Sequence, residues 1–140
     1  MQTSGVVYIA MTPDGQILMQ LRDYGHGESI LYKNTWALLG GRIETGETSQ
    51  EAVAREYREE CGRDGEFRFI GAYQYDGEGP LRGCFVDVFV TSVEESFDVQ
   101  DLSEGKKFEW MSLARIKTLG KLAWQQEKVI PMIERALQHA

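Results

Sequence analysis

Short blocks of hydrophobic residues separated by polar stretches run along this chain, and most of the blocks have the length of β-strands. Residues 5–11 and 16–22 are apolar runs separated by Pro13-Asp14-Gly15, a turn sequence that predicts a β-hairpin. Residues 23–35 are predicted to form a polar loop. Four more short apolar runs follow, at residues 36–39, 67–76, 83–92 and 107–111. The run at 83–92 is nearly continuous, which is typical of a strand buried on both faces.

Residues 48–61 have helical periodicity instead. Thr48 or Ser49 is suited to cap the helix N-terminus, and Gly62 follows its end, where a left-handed residue is favoured. The arc predicted to be buried contains Val53, Ala54, Tyr57 and Cys61. A second arc beside it contains three glutamates, Glu56, Glu59 and Glu60. The pattern therefore predicts a helix that is apolar on one side and acidic next to that side.

A second helix is predicted for residues 122–138, where apolar residues recur at helical spacing. Pro131 lies inside this segment and predicts a kink or a break there. No internal repeat, low-complexity tract or linker divides the 140 residues. The chain is therefore predicted to be a single domain, residues 1–140, of the mixed α/β (α+β) class.

Charge balance, hydrophobic run length and cysteine content argue against some classes of partner and location. Lys plus Arg number 15 and Asp plus Glu number 22, for a net charge of −7. A general nucleic-acid binder needs a basic surface, so no nucleic-acid polymer is expected as a partner. No apolar run approaches the ~18 residues of a membrane span, so no membrane partner is expected. The two cysteines form no disulfide framework and favour a reducing, cytoplasmic location.

The acidic arc is the first candidate for chemistry. Like charges at i, i+3 and i+4 repel, and a cation between them would remove that repulsion. Hard carboxylate oxygens suit Mg²⁺ or Mn²⁺, which can in turn bridge an acidic protein to a phosphate. Arg55 lies beside the arc, where it can hold a carboxylate in place. A solvated acidic helix face is the alternative explanation of the same pattern.

The segment GRIETGETSQEAVAREYREECGR, residues 41–63, resembles the signature of the Nudix hydrolase family, G-x5-E-x7-R-E-U-x-E-E-x-G-U, where U is a bulky apolar residue. Every glycine, glutamate and arginine of the signature is present at its position. Tyr57 and Arg63 stand at the two U positions, and Leu39 stands where the family often has a proline. The stretches around Leu21-Arg22-Asp23 and Glu104-Gly105-Lys106 are also similar to those of the family.

The resemblance implies an α/β/α sandwich around a mixed sheet. It also implies hydrolysis of a diphosphate linkage in a nucleoside diphosphate derivative, by attack of water at phosphorus, with Mg²⁺ or Mn²⁺ as cofactor. The metal ligands that it implies are the carbonyl of Gly40 and the carboxylates of Glu56, Glu59 and Glu60. The catalytic residues that it implies are Glu47, Arg55, Glu59, Glu60 and Glu104.

Members of the family differ in which residue is the general base. A glutamate of the signature helix is one candidate, and Glu104 in a later loop is the other. An ordinary loop carboxylate is the alternative reading of Glu104.

The expected partner is a small nucleotide, with Arg22, Gly41, Arg42 and Tyr75 as its contacts. A nucleoside triphosphate, normal or oxidised, is the first candidate, and an ADP-ribose-like nucleotide sugar is the second. Pro80 lies near, but not at, the position where ADP-ribose members are expected to carry a proline. A homodimer is left open. The alternative function is a catalytically silent Nudix-fold module that binds nucleotides as a sensor.

Overall fold

The computed structural model describes residues 3–22, 34–99 and 106–138. These residues form a mixed sheet between two helical layers. The strands are β1 (Thr3–Met11), β2 (Gln16–Arg22), β3 (Thr35–Ala37), β4 (Leu39–Arg42), β5 (Arg68–Gln74), β6 (Phe85–Ser92) and β7 (Lys106–Ser112). The helices are α1 (Ser49–Cys61), α2 (Leu113–Thr118), a 3₁₀ segment (Ala123–Val129) and α3 (Ile130–Gln138).

The sheet has the order β3-β2-β1-β6-β5, with β4 paired to β1 and β7 paired to β2. Strands β1 and β6 are parallel, and the other pairs are antiparallel. The predicted hairpin of β1 and β2 is present, but it pairs through Met11 and Ile17 at its closed end. Beyond that point β1 pairs with β4, whereas β2 pairs with β3 and β7. The sheet therefore forks between β1 and β2.

Side chains of β1 alternate between two cores, as the period of two along a strand requires. Val6, Tyr8 and Ala10 pack in the cluster that includes the buried face of α1. Val7 and Ile9 pack in the cluster that includes α2 and α3. The predicted sandwich of helices on both faces of a mixed sheet is therefore confirmed.

The ends of α1 lie where the sequence predicts them. Thr48 is the N-cap, and its hydroxyl accepts a hydrogen bond from Glu51 N at 3.1 Å. The Glu51 carboxylate accepts from Thr48 N at 3.0 Å, which completes a capping box. Gly62 closes the helix with φ of 68°, and its N–H donates to Arg58 O at 2.9 Å. This helix is set locally by its own sequence.

The predicted helix at residues 122–138 is wrong in its first half. A 3₁₀ segment precedes α3, and Trp124 and Gln125 within it have left-handed backbone angles, with φ of 50° and 59°. Pro131 lies in the first turn of α3, where a missing N–H costs nothing. The break therefore comes before the proline and not at it. No helix in the described part of the chain is long and apolar enough to cross a membrane.

Candidate active site

Gly40 and Gly41 lie within strand β4, directly after the apolar run predicted at residues 36–39. A Cβ on Gly40 would lie 2.1 Å from the carbonyl oxygen of Val6 in the neighbouring strand. A Cβ on Gly41 would lie 2.2 Å from Glu56 Oε1. Glycine is therefore required here by two close approaches, one from the main chain of β1 and one from a carboxylate of α1. The strand forms because both glycines pair with β1.

The Arg55 guanidinium on α1 contacts several polar groups at once. Its Nε lies 2.6 Å from Glu47 Oε2, and its Nη1 lies 3.0 Å from Glu56 Oε1 and 3.3 Å from Glu59 Oε2. Its Nη2 donates to the carbonyl oxygen of Arg42 at 2.9 Å. The structure thus brings four of the predicted site residues together around one guanidinium.

The pKa values of two carboxylates around Arg55 are shifted in different directions. The hydrogen bond from Arg55 lowers the pKa of Glu47, and the same bond raises the pKa of Arg55 further above its usual value. Burial raises the pKa of Glu56, although the hydrogen bond from Arg55 opposes this shift. A further cation nearby would therefore stabilise the ionised form of Glu56.

Glu60 points to a different neighbour. The buried hydroxyl of Tyr8 on β1 donates to Glu60 Oε1 at 3.1 Å. Burial, followed by the charge of Glu60, raises the pKa of Tyr8 well above its usual value, so this hydroxyl keeps its proton. Within the described ranges no three acidic, histidine or cysteine side chains converge as a metal site. Arg55 bridges Glu56 and Glu59, and Tyr8 holds Glu60.

A cavity of about 600 Å³ opens in the fork of the sheet, on the face that carries α3. This volume falls in the range of small-molecule sites. All four residues predicted to contact substrate line it: Arg22, Gly41, Arg42 and Tyr75. Because Gly41 also touches Glu56, the cavity and the acidic helix meet at β4.

The predicted substrate residues have different positions in the cavity wall. The Arg22 guanidinium lies 4.1 Å from the ring centroid of Trp124. Tyr75 is buried, and its hydroxyl donates to Glu78 O at 2.6 Å, so its ring is fixed as part of the wall. Trp36 is partly buried and packs against the core cluster that includes α2 and α3. Tyr24, Tyr32 and Glu104 lie outside the described residues.

Gln20, Trp124 and Gln126 are among the cavity residues that were not predicted from the sequence. Trp124 lies in the segment that was predicted to be a helix, residues 122–138. Instead, its carbonyl accepts from Tyr73 OH at 3.1 Å, and Gln126 Oε1 accepts from Leu38 N at 2.6 Å. No local signal indicates these residues, because each reaches the cavity through a contact that is distant in sequence.

The model of the NUDIX domain family matches residues 1–133 of this chain. The chain belongs to the Nudix family. A relative, the ADP-ribose pyrophosphatase of Methanocaldococcus jannaschii, is 33% identical over 100 residues, which cover 71% of this chain. The matched region spans 57% of that relative's own length.

Solved structures of Nudix proteins share the fold. The MutT protein from Methanosarcina mazei Go1 has a TM-score of 0.72 at 23% identity, over 94% of this chain and 92% of its own. The NUDIX domain of Shewanella oneidensis NrtR, in a complex with ADP ribose, has a TM-score of 0.75 at 15% identity, over 98% and 89%. A mutT/nudix family protein from Listeria innocua has a TM-score of 0.76 at 19% identity, over 99% and 94%. These likenesses confirm the Nudix sandwich.

Proposed function

We propose that this chain is a metal-dependent pyrophosphohydrolase that cleaves a diphosphate linkage in a nucleoside diphosphate derivative. The proposal rests on the position of strand β4, which lies between the cavity and the acidic helix α1. Gly40 and Gly41 line the cavity, and the Glu56 carboxylate is seated against Gly41. A nucleotide with its base in the cavity would extend its phosphates past β4 toward the carboxylates of α1.

The residues of this site suit a divalent metal. Glu56, Glu59, Glu60 and the Gly40 carbonyl offer only hard oxygen donors, which Mg²⁺ and Mn²⁺ prefer. A side chain at position 41 would displace the Glu56 carboxylate, so Gly41 leaves room for that donor. When bound, such a metal neutralises phosphate charge and lowers the pKa of a bound water.

The chain's other residues have positioning roles in this proposal. Arg55 fixes the orientation of Glu56 and Glu59 through charge-assisted hydrogen bonds. Glu47 in turn holds the Arg55 fork through two contacts, from Nε at 2.6 Å and from Nη2 at 3.0 Å. Arg22 and Arg42 line the cavity and supply positive charge for the phosphates.

ADP-ribose is the first compound to test, because the relative from M. jannaschii is named as an ADP-ribose pyrophosphatase. The NrtR domain, which shares the fold, was solved in a complex with ADP ribose. Nucleoside triphosphates, normal and oxidised, are the second group. A panel assay of ADP-ribose and of the nucleoside triphosphates with Mg²⁺ shows, from the products formed, which of these compounds is cleaved. Glu56→Gln should lower kcat by about 10²–10⁴, and Glu66→Gln at an exposed position is the control.

The same panel tests the alternative of a sensor module. A sensor would bind nucleotides with Mg²⁺ but release no phosphate-containing product above the rate of Glu56→Gln. Cleavage of any panel member by the wild-type chain, with loss in Glu56→Gln, excludes the sensor.

We also propose Glu104 as a candidate general base. If it has that role, Glu104→Gln should lower kcat by about 10²-fold or more with little change in KM, because the loss falls on the transition state. A near wild-type Glu104→Gln beside an inactive Glu56→Gln would assign the base to the signature helix instead.

A further inference from the structure

A buried hydroxyl on the central strand of the sheet contacts the acidic helix. Tyr8 on β1 is 0% exposed, and its hydroxyl donates to Glu60 Oε1 at 3.1 Å. The two residues are 52 positions apart, so this bond depends on how α1 packs against the sheet. A buried tyrosine hydroxyl normally has a partner, because it loses its hydration on burial. Here the partner is one of the carboxylates that the Nudix signature implies as metal ligands.

The Tyr8 hydroxyl is fixed in position and in direction. The Tyr8 ring packs edge-on against Tyr57, with centroids 5.3 Å apart, and against Phe67, with centroids 6.3 Å apart. The hydroxyl oxygen also lies 3.6 Å from Cys61 Sγ. An ionised carboxylate can only accept, so the hydroxyl proton points to Glu60 and the thiol donates in the contact with Cys61. Glu60 therefore faces a donor that the surrounding core holds in place.

The bond from Tyr8 holds Glu60 beside the other groups that are implied as metal ligands. In the pairing of β1 with β4, Tyr8 lies opposite the residue that precedes Gly40. The carboxylate of Glu56 is seated against the residue that follows Gly40. Glu56 and Glu60 are four residues apart on α1 and so share one side of the helix. Along this border the two carboxylates therefore lie on either side of Gly40.

We propose that Tyr8 is a positioning residue for the divalent metal, whose hydroxyl holds one oxygen of Glu60 so that the other oxygen is oriented as a ligand. This inference rests on the proposed function, because it takes the carboxylates of α1 as the metal ligands. A glutamate side chain loses rotamer freedom when it binds a metal, and the bond to Tyr8 removes part of that loss in advance. Partners of this kind typically change metal affinity by about 10–100-fold.

The test is a titration of the full chain with Mn²⁺, followed by electron paramagnetic resonance, without nucleotide. The signal of free Mn²⁺ reports metal binding and does not depend on catalysis. Tyr8→Phe removes only the hydroxyl and should raise the Kd for Mn²⁺ by about tenfold or more. Tyr57→Phe is the matched control, because it removes a hydroxyl from the neighbouring ring, which is 2% exposed. This control should keep the wild-type affinity.

A double-mutant cycle with Glu60→Gln shows whether Tyr8 acts through Glu60. Glu60→Gln alone should weaken Mn²⁺ binding, because it removes a charged ligand. Adding Tyr8→Phe to Glu60→Gln should change the affinity by no more than about twofold, since the hydroxyl then has no carboxylate to position. Thermal midpoints of all four chains separate this effect from stability. A purely structural hydroxyl would change the midpoint of Tyr8→Phe and leave its Mn²⁺ affinity unchanged.

Wild-type Mn²⁺ affinity in Tyr8→Phe, beside weakened binding in Glu60→Gln, would overturn the proposal and leave the proposed function standing. Equal losses in Tyr8→Phe and Tyr57→Phe would also overturn it, and so would a full additional loss in the double variant. No saturable Mn²⁺ binding by the wild-type chain, or unchanged affinity in Glu60→Gln, would overturn it together with the metal site at α1. Weakened binding in Tyr8→Phe but not in Tyr57→Phe, without cleavage of any panel compound, would support Tyr8 and remove the hydrolysis.

Discussion

Arg55 contacts Glu47, Glu56, Glu59 and the Arg42 carbonyl with a single planar group, so its shape matters as much as its charge. A lysine ammonium is a compact charge and does not reproduce the two parallel contacts of a guanidinium. The Arg55 guanidinium therefore holds the carboxylates at fixed distances from one another.

Arg55→Lys should consequently lower kcat more than it changes KM. We expect a kcat loss of about 10–100-fold, because the carboxylates lose their fixed geometry while the cavity is untouched. Steady-state kinetics on the best panel substrate measure the split. Arg58→Lys, on the same helix with a side chain 68% exposed, is the control and should retain wild-type values. If Arg55→Lys changed KM alone, the result would assign Arg55 a role in binding the substrate instead.

At the scale of elements, strand β4 needs glycine at two adjacent positions, Gly40 and Gly41, for different reasons. A Cβ at position 40 meets the main chain of β1, which has no room to move within a paired sheet. A Cβ at position 41 meets the end of the Glu56 side chain, which can rotate away. The same substitution should thus have different consequences at neighbouring positions.

Gly40→Ala should lower the free energy of unfolding by about 1–3 kcal/mol or more, the usual range for overpacking. Gly41→Ala should change stability less, yet lower kcat by about 10²-fold, because Glu56 leaves its position. Denaturant titrations and initial rates on both variants check this. Comparable stability losses in the two variants, with full activity in Gly41→Ala, would contradict it.

The capping box of α1 allows a prediction about the helix itself. Thr48→Ala removes the side-chain acceptor for Glu51 N and should cost about 1 kcal/mol of stability. For a chain of this length that corresponds to roughly 3–4 °C in the thermal midpoint. Thr45→Ala, at an exposed position before the helix, is the control. Equal midpoints for the two variants would show that the cap contributes nothing.

Elements with local signals were predictable from the sequence. Thr48, Glu51 and Gly62 set the ends of α1 through contacts within a few residues, so the pattern identifies them. The 3₁₀ segment was not predictable, because Trp124 and Gln126 take their positions from Tyr73 and Leu38, far away in the chain. The split of residues 35–42 into β3 and β4 likewise depends on which strand each half pairs with.

For the molecule as a whole, the net charge of −7 means that the proposed phosphate binding needs a divalent cation between two negative partners. Excess EDTA should abolish cleavage, and added Mg²⁺ or Mn²⁺ should restore it, because the proposed metal ion neutralises the carboxylates and the phosphates together and activates the attacking water. Product release with and without chelator measures this. Full turnover in excess EDTA would exclude the metal site at α1.

The candidate site was also only partly predictable at this scale. Glu47, Glu56 and Glu59 contact Arg55, and the sequence indicates this proximity because three of the four residues share a helix and Glu47 precedes it closely. Gln20, Trp124 and Gln126 in the cavity wall were not predictable, since they come from β2 and the 3₁₀ segment, which are far apart in the sequence. Periodicity reports the faces of single elements and carries no information on how distant elements meet.

The parallel pairing of β1 with β6 has a consequence for how the chain is made. Tyr8 pairs with Phe89, and Leu18 on β2 pairs with Trp110, so the centre of the sheet joins segments separated by most of the sequence. Contacts of such long range make folding slow. During synthesis from the N-terminus, α1 therefore emerges well before β6 and β7 can complete the sheet beneath it. A nascent chain halted near residue 80 would hold the whole signature together with β1 and β4, yet lack β6 and β7, which complete the sheet.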